Sequence, residues 1–96
     1  MSIVIVGGND CMVRRYMDIC REYRCDSKVF TQMKAGLKSK IGNPDLMILF
    51  TNTMSHKMLN LAKNEIKGCG TRVAFCRSSS ASALKNILDE HVGRAS

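Results

Sequence analysis

Ser2-Ile-Val-Ile-Val-Gly-Gly8 sets four consecutive β-branched residues, Ile3 to Val6, directly before two glycines. A short, unbroken apolar run stopped by glycine reads as a strand covered on both faces, because a strand with one wet face would alternate apolar and polar residues. Beyond the glycines the period changes. From Cys11 to about Arg24, the residues Met12, Tyr16, Ile19, Cys20 and Tyr23 recur at spacings of three and four, which is one face of an amphipathic helix. Asn9 or Asp10 is placed to cap it, since a short side-chain oxygen can accept from a free first-turn N–H.

The same alternation continues to the other end. Ser27 to Thr31, with Val29 and Phe30, reads as a second and weaker strand, and the Lys-rich segment Gln32 to Gly42 as a short helix carrying Leu37 and Ile41. Gly42-Asn-Pro44 breaks the chain. Asp45-Leu-Met-Ile-Leu-Phe50 is the second strong strand, followed by the polar turn Thr51-Asn-Thr-Met-Ser55. Ser55 caps a helix to about Lys67, with Met58, Leu59, Ala62 and Ile66 on one side, and Gly68 and Gly70 supply its stop. Thr71 to Cys76 is the fourth strand, and Arg77-Ser-Ser-Ser80 leads into a last helix bearing Leu84, Ile87, Leu88 and Val92.

Strands alternating with helices pair in parallel through right-handed crossovers. The expected fold is therefore one small α/β domain of the Rossmann or flavodoxin-like kind. Its four-stranded parallel sheet has the order 2-1-3-4, with helices on both faces and the two most apolar strands central. The whole chain, residues 1–96, is one domain with its core at about 2–92 and a flexible tail at 93–96. Strand 2 or strand 4 is left as an edge that must be protected or paired, and a homodimer is one remedy.

In such a sheet, ligands bind outside the carboxyl ends of the strands where the strand order reverses, which here is between strands 1 and 3. The loops expected to converge there carry Gly7, Gly8 and Asn9, then Thr51, Asn52, Ser55 and His56, then Arg77, Ser78 and Ser79. Paired glycines let a ligand approach the main chain. Each helix after such a loop presents free N–H groups and a positive dipole end to a phosphate or carboxylate, and Arg77 adds a planar donor fork. Each feature also has a plain structural explanation, because Gly-Gly is a common turn and Ser or Thr at a helix start is ordinary capping.

Specific nucleotide signatures are missing. Gly7-Gly-Asn-Asp-Cys-Met12 does not fit Gly-x-Gly-x-x-Gly, strand 2 ends in Thr31-Gln32 with no acidic ribose ligand, and no phosphate-binding Gly-Lys-Ser/Thr loop occurs. No catalytic set can be assigned either. Cys11 stands at a helix start without the arginine that would clamp an anion, and Cys76 with His56 is a nucleophile–base pair only if the fold joins them. The chain is accordingly read as non-enzymatic.

The totals agree with a soluble protein. The 96 residues carry 15 Lys and Arg against 8 Asp and Glu, a net charge of +7 that favours acidic partners. The basic residues are scattered, with Arg14, Arg15, Arg21 and the segment Lys34 to Lys40 as the densest groups, so nucleic-acid binding is a further alternative. With only two Tyr, three Phe and no Trp, however, the chain lacks a stacking platform. The five cysteines include no Cys-x-x-Cys, which argues against a zinc cage. No signal-peptide pattern and no membrane span is read, and a cytoplasmic location with reduced thiols is the expectation.

Val4-Ile-Val-Gly-Gly8, the Tyr16-bearing helix, Pro44-Asp45, Thr51 through Ser55-His56, and Arg77-Ser-Ser79 with Ser82-Ala-Leu84 together resemble the bacterial family DUF2325 over about residues 3 to 92. The resemblance implies the same small α/β domain, sometimes found at the end of longer proteins, and a link to haem and iron. It thereby points to His56 as an iron ligand, with Cys, Met or a second chain supplying the other, and Met54 is a soft neighbour. His91 is read instead as a partner of its own helix's negative end. Two functions are thus carried forward: a domain binding an anionic small molecule or nucleotide, and a haem- or metal-binding protein.

Overall fold

In the computed structural model, residues 1–31, 44–65 and 70–93 are described. The expected helix at Gln32 to Gly42, the Gly42-Asn43 break, and the Ile66-Lys67 end and Gly68 stop of the next helix lie outside them, as do residues 94–96. Four strands form one parallel sheet: β1 (Ser2–Val6), β2 (Asp26–Phe30), β3 (Leu46–Phe50) and β4 (Arg72–Cys76). Their order is β2-β1-β3-β4, the order that the βα alternation predicts. Helices α1 (Val13–Glu22), α2 (His56–Glu65) and α3 (Ala81–His91) come after β1, β3 and β4.

The two central strands are buried almost throughout, and alternate residues feed two cores. Ile3, Ile5, Leu46, Ile48 and Phe50 pack with Tyr16, Ile19 and Cys20 of α1 and with Leu84, Ile87 and Leu88 of α3. Val4, Val6, Met47 and Leu49 pack with Met58 and Ala62 of α2 on the opposite face. Alternation of side chains along a strand is what divides one apolar run between two layers.

Helix α1 differs from its sequence reading at both ends. A 3-10 turn, Asp10–Met12, precedes it, and Asn9 makes no side-chain cap bond. At the other end Arg24 takes a left-handed φ of 58°. The Arg24 and Cys25 N–H groups then return to the carbonyls of Arg21 and Cys20 at 2.9 and 3.0 Å. That is a Schellman closure, which halts the helix short of Arg24 and brings Cys25 over Cys20. Ser55 behaves as expected, its Oγ accepting from the Met58 N–H at 3.2 Å.

The same closure gives a pH signature. Burial disfavours the Cys20 thiolate and pushes its pKa from the ordinary 9.0 up to about 11; a Ser27 hydrogen bond opposes this and the neighbouring Cys25 adds to it. Cys25 is also raised, chiefly by burial. The folded state therefore holds the Cys20 proton more tightly than the unfolded chain. Its contribution is complete below about pH 9 and lost as the pH climbs towards 11. In that window each such thiol should lower unfolding free energy by at most about 1.4 kcal/mol per pH unit. Urea unfolding of wild type and Cys20→Ala across the alkaline range should show a shallower slope for the variant; parallel slopes would refute this assignment.

Candidate functional site

The loops after β1, β3 and β4 leave the carboxyl edge of the sheet, and hydrogen bonds join them. Gly7 and Gly8 have φ of +95° and +87°. Gly7 N–H extends the β1–β2 ladder to the Phe30 carbonyl at 2.8 Å. Gly8 N–H turns the other way and donates to Thr53 Oγ1 at 2.6 Å. Thr53 in turn donates to the Phe50 carbonyl at 3.0 Å, so one hydroxyl clamps the β1 loop to the end of β3.

The β3 loop opens with a 3-10 turn, Thr51–Thr53. Thr51 Oγ1 donates to the Cys76 carbonyl at 3.2 Å, joining this loop to the end of β4. In the β4 loop, the Cys76 thiol donates to the Ser78 carbonyl at 2.9 Å, and Ser80 caps α3 by accepting from the Ala83 N–H at 3.2 Å. Tyr16, fully buried on α1, reaches up between the loops and donates its hydroxyl to the Ser79 carbonyl at 2.5 Å. Its ring also lies directly beneath Gly8, where an added Cβ would come within 2.8 Å of Cε2. Thr31 donates to Asp10, tying the β1 loop to the end of β2 as well.

The sequence candidates therefore divide by what they do. Gly7, Gly8, Thr51, Ser55 and the Ser79 carbonyl hold the loops and helix starts together. Asn9, Asn52, His56, Arg77 and Ser78 are exposed on the rim so formed. Thr53 and Tyr16, which join the loops together with Thr51, are not among the sequence candidates for the site. The one signal for Tyr16 is chemical, because a tyrosine on a buried face needs a partner for its hydroxyl.

Helices α2 and α3 both start at this edge. Ser55 and Ser80 each satisfy one first-turn N–H, while the N–H groups of His56, Lys57, Ala81 and Ser82 have no carbonyl acceptor within their helices. Arg77 at the end of β4 and Asp10 in the β1 loop are charged side chains exposed beside these helix starts. A small polar cavity of about 170 Å³ lined by Met17, Arg21, Cys25, Asp26 and Ser27 lies at the opposite, amino edge.

The arrangement separates several pairs that the sequence leaves open. His56 starts α2 at the carboxyl edge on one face, whereas His91 ends α3 at the amino edge on the other. The two histidines of one chain therefore cannot flank one iron. Met54 packs against the Val4–Leu49 cluster instead of turning out beside His56. Among the described residues no group of three or more His, Cys, Asp or Glu could hold a metal ion. Cys76 packs against the α1/α3 face and its thiol bonds to Ser78, so Cys76 is not paired with His56.

Fold and rim together define a doubly wound α/β domain with a cross-linked, glycine-lined loop cluster at the carboxyl edge of its sheet. A family model, DUF2325, described as an uncharacterised protein conserved in bacteria, matches residues 2–91, and the chain belongs to this family. No curated protein and no solved structure matches it. Among the described residues no helix is long and apolar enough to cross a membrane.

Proposed function

We propose that this domain is a binding or sensing module, without catalysis of its own, for a small anionic molecule such as a phosphorylated metabolite or nucleotide. The observation that carries the reading is the joining of the three loops. The bonds Gly8–Thr53, Thr51–Cys76 and Tyr16–Ser79 fix two helix starts, the Gly7-Gly8 backbone and the strand end before Arg77 in one rim. Preorganised N–H donors cost little ordering on binding, and an anion at a helix start gains from that helix's dipole. Arg77 supplies a bidentate clamp and His56 a second hydrogen-bonding group.

Thermal unfolding with inorganic phosphate, pyrophosphate and nucleoside mono- and diphosphates tests this. A ligand present at about a hundred times its Kd stabilises by about 2.7 kcal/mol, which for a domain of this size raises Tm by roughly 10 °C or more. Arg77→Ala should abolish most of that shift while leaving the unliganded Tm within about 2 °C, because the side chain is exposed. No shift with any of these anions would overturn the reading. Haemin is the informative control: a Soret band lost in His56→Ala would favour the iron-binding alternative. Binding only to duplex DNA, falling steeply with salt, would favour the basic face carrying Arg14, Arg15 and Arg21.

A further inference from the structure

The amino edge of the sheet holds a second cluster, set apart from the rim, in which three sulfur-bearing side chains gather. Met17, Cys20 and Arg21 stand at i, i+3 and i+4 on α1 and so share one side of that helix. Cys25 and Ser27 alternate with the exposed Asp26 and share the side of β2 that packs on α1. Met17, Arg21, Cys25, Asp26 and Ser27 line the cavity of about 170 Å³ between them.

The two thiols are brought together by the way α1 ends. The Cys25 N–H donates to the Cys20 carbonyl at 3.0 Å, and in this closure the side chains of those two positions commonly pack on each other. The Ser27 side chain is hydrogen-bonded to the Cys20 thiol. Cys20 therefore reaches the strand side that Cys25 occupies and stands behind the cavity wall. The Cys25 thiol donates to the Tyr23 carbonyl at 3.3 Å, a weak bond that a metal ion would replace.

We infer that Cys20 and Cys25 form a two-thiolate site for a soft monovalent cation, Cu(I), reached through this cavity, with the Met17 thioether at its mouth. The type and number of donors decide the metal. Thiolate and thioether ligands select Cu(I) over harder ions. Zinc takes four ligands, and among the described residues no group of three His, Cys, Asp or Glu is assembled, whereas two thiolates suffice for Cu(I).

Binding exchanges two S–H bonds for two Cu–S bonds. The two protons pass to solvent, and no atom changes oxidation state. The complex carries one negative charge, which Arg21 on the cavity wall is placed to offset. Asp26, exposed on the same wall, draws cations to the opening. Burial disfavours a bare thiolate at Cys20 but not one whose charge is shared with a bound ion, so the pair stays protonated until the metal arrives.

Cu(I) held by a chromophoric chelator, under reducing and oxygen-free conditions, is the probe. Cys11→Ser/Cys69→Ser/Cys76→Ser removes the other thiols, and this variant should withdraw one Cu(I) per chain, read as loss of the chelator's colour. Adding Cys25→Ser should weaken binding at least about a hundredfold, because even a group that only supports a ligand is worth roughly 10–100-fold. The circular dichroism should not change, since Cys25 borders the cavity. Cys25→Ser alone should cost the wild-type chain one equivalent of bound Cu(I). Cys20→Ser should act alike, and where it fails to fold Cys25→Ser still decides. Failure of the triple variant to take up Cu(I), or equal uptake after Cys25→Ser, overturns the inference. Uptake of one Cu(I) by two chains overturns it equally. Neither result bears on anion binding at the rim, which lies at the opposite edge of the sheet.

Discussion

Gly8→Ala should lower unfolding free energy by about 3 kcal/mol or more and Tm by more than about 10 °C. Two causes add. The backbone φ of +87° is one that an L-residue adopts only at a cost of about 1–2 kcal/mol. The new methyl would also stand 2.8 Å from Tyr16 Cε2 and 2.9 Å from its hydroxyl. That ring cannot move aside: it is fully buried, its centroid is 5.2 Å from that of Phe50, and its hydroxyl is bonded to Ser79. Gly70→Ala is the internal control, because Gly70 has a φ of +71° but nothing within 4 Å of an added Cβ. It should show the backbone cost alone. Equal losses at the two positions would mean that the Gly8–Tyr16 contact carries no weight.

Tyr16→Ala should cost a similar amount, about 3–5 kcal/mol, since it empties a fully buried ring site between α1, β3 and the loops. Tyr16→Phe separates packing from polarity. It keeps the ring and removes only the bond to Ser79, so about 1–2 kcal/mol should be lost. Its distinctive effect is local. Amide exchange at Ala83 and Leu84, which donate to the Ser80 hydroxyl and carbonyl, should quicken more than exchange in β1 or β3, because the β4 loop loses its tether to α1. If Phe protects these amides as well as Tyr does, the hydroxyl does not hold the loop. The anion-induced shift in Tm is a second readout, expected to shrink in Tyr16→Phe where rim geometry governs binding.

The sequence is most legible where one residue type serves one purpose. Ile3 to Val6 and Leu46 to Phe50 read plainly as covered strands, and their place at the centre of the sheet agrees. Ser55 is recognisable as a cap because the hydroxyl and the first-turn N–H it serves are neighbours in the chain. Legibility ends where one side chain serves two elements. Tyr16 reads as a core residue of α1, which it is, while its hydroxyl bond to Ser79 spans 63 positions. Thr53 lies in the polar turn among similar residues, and nothing local marks it as the acceptor for Gly8, 45 positions away. Helix α1 stops short of its sequence reading because arginine, unlike glycine, carries no signal of a left-handed turn.

By itself, then, the sequence determined the α/β class, the parallel sheet, its strand order and the set of loops at its carboxyl edge. Those follow from hydrophobic period and from the right-handedness of crossovers, both properties of short stretches of chain. Only the tertiary structure decided how the loops are joined, which polar residues are spent on holding them and which remain exposed. It also decided that the two histidines stand at opposite edges. Such facts depend on contacts between residues far apart in sequence, where hydrogen-bond geometry and close packing select partners that composition and spacing cannot distinguish.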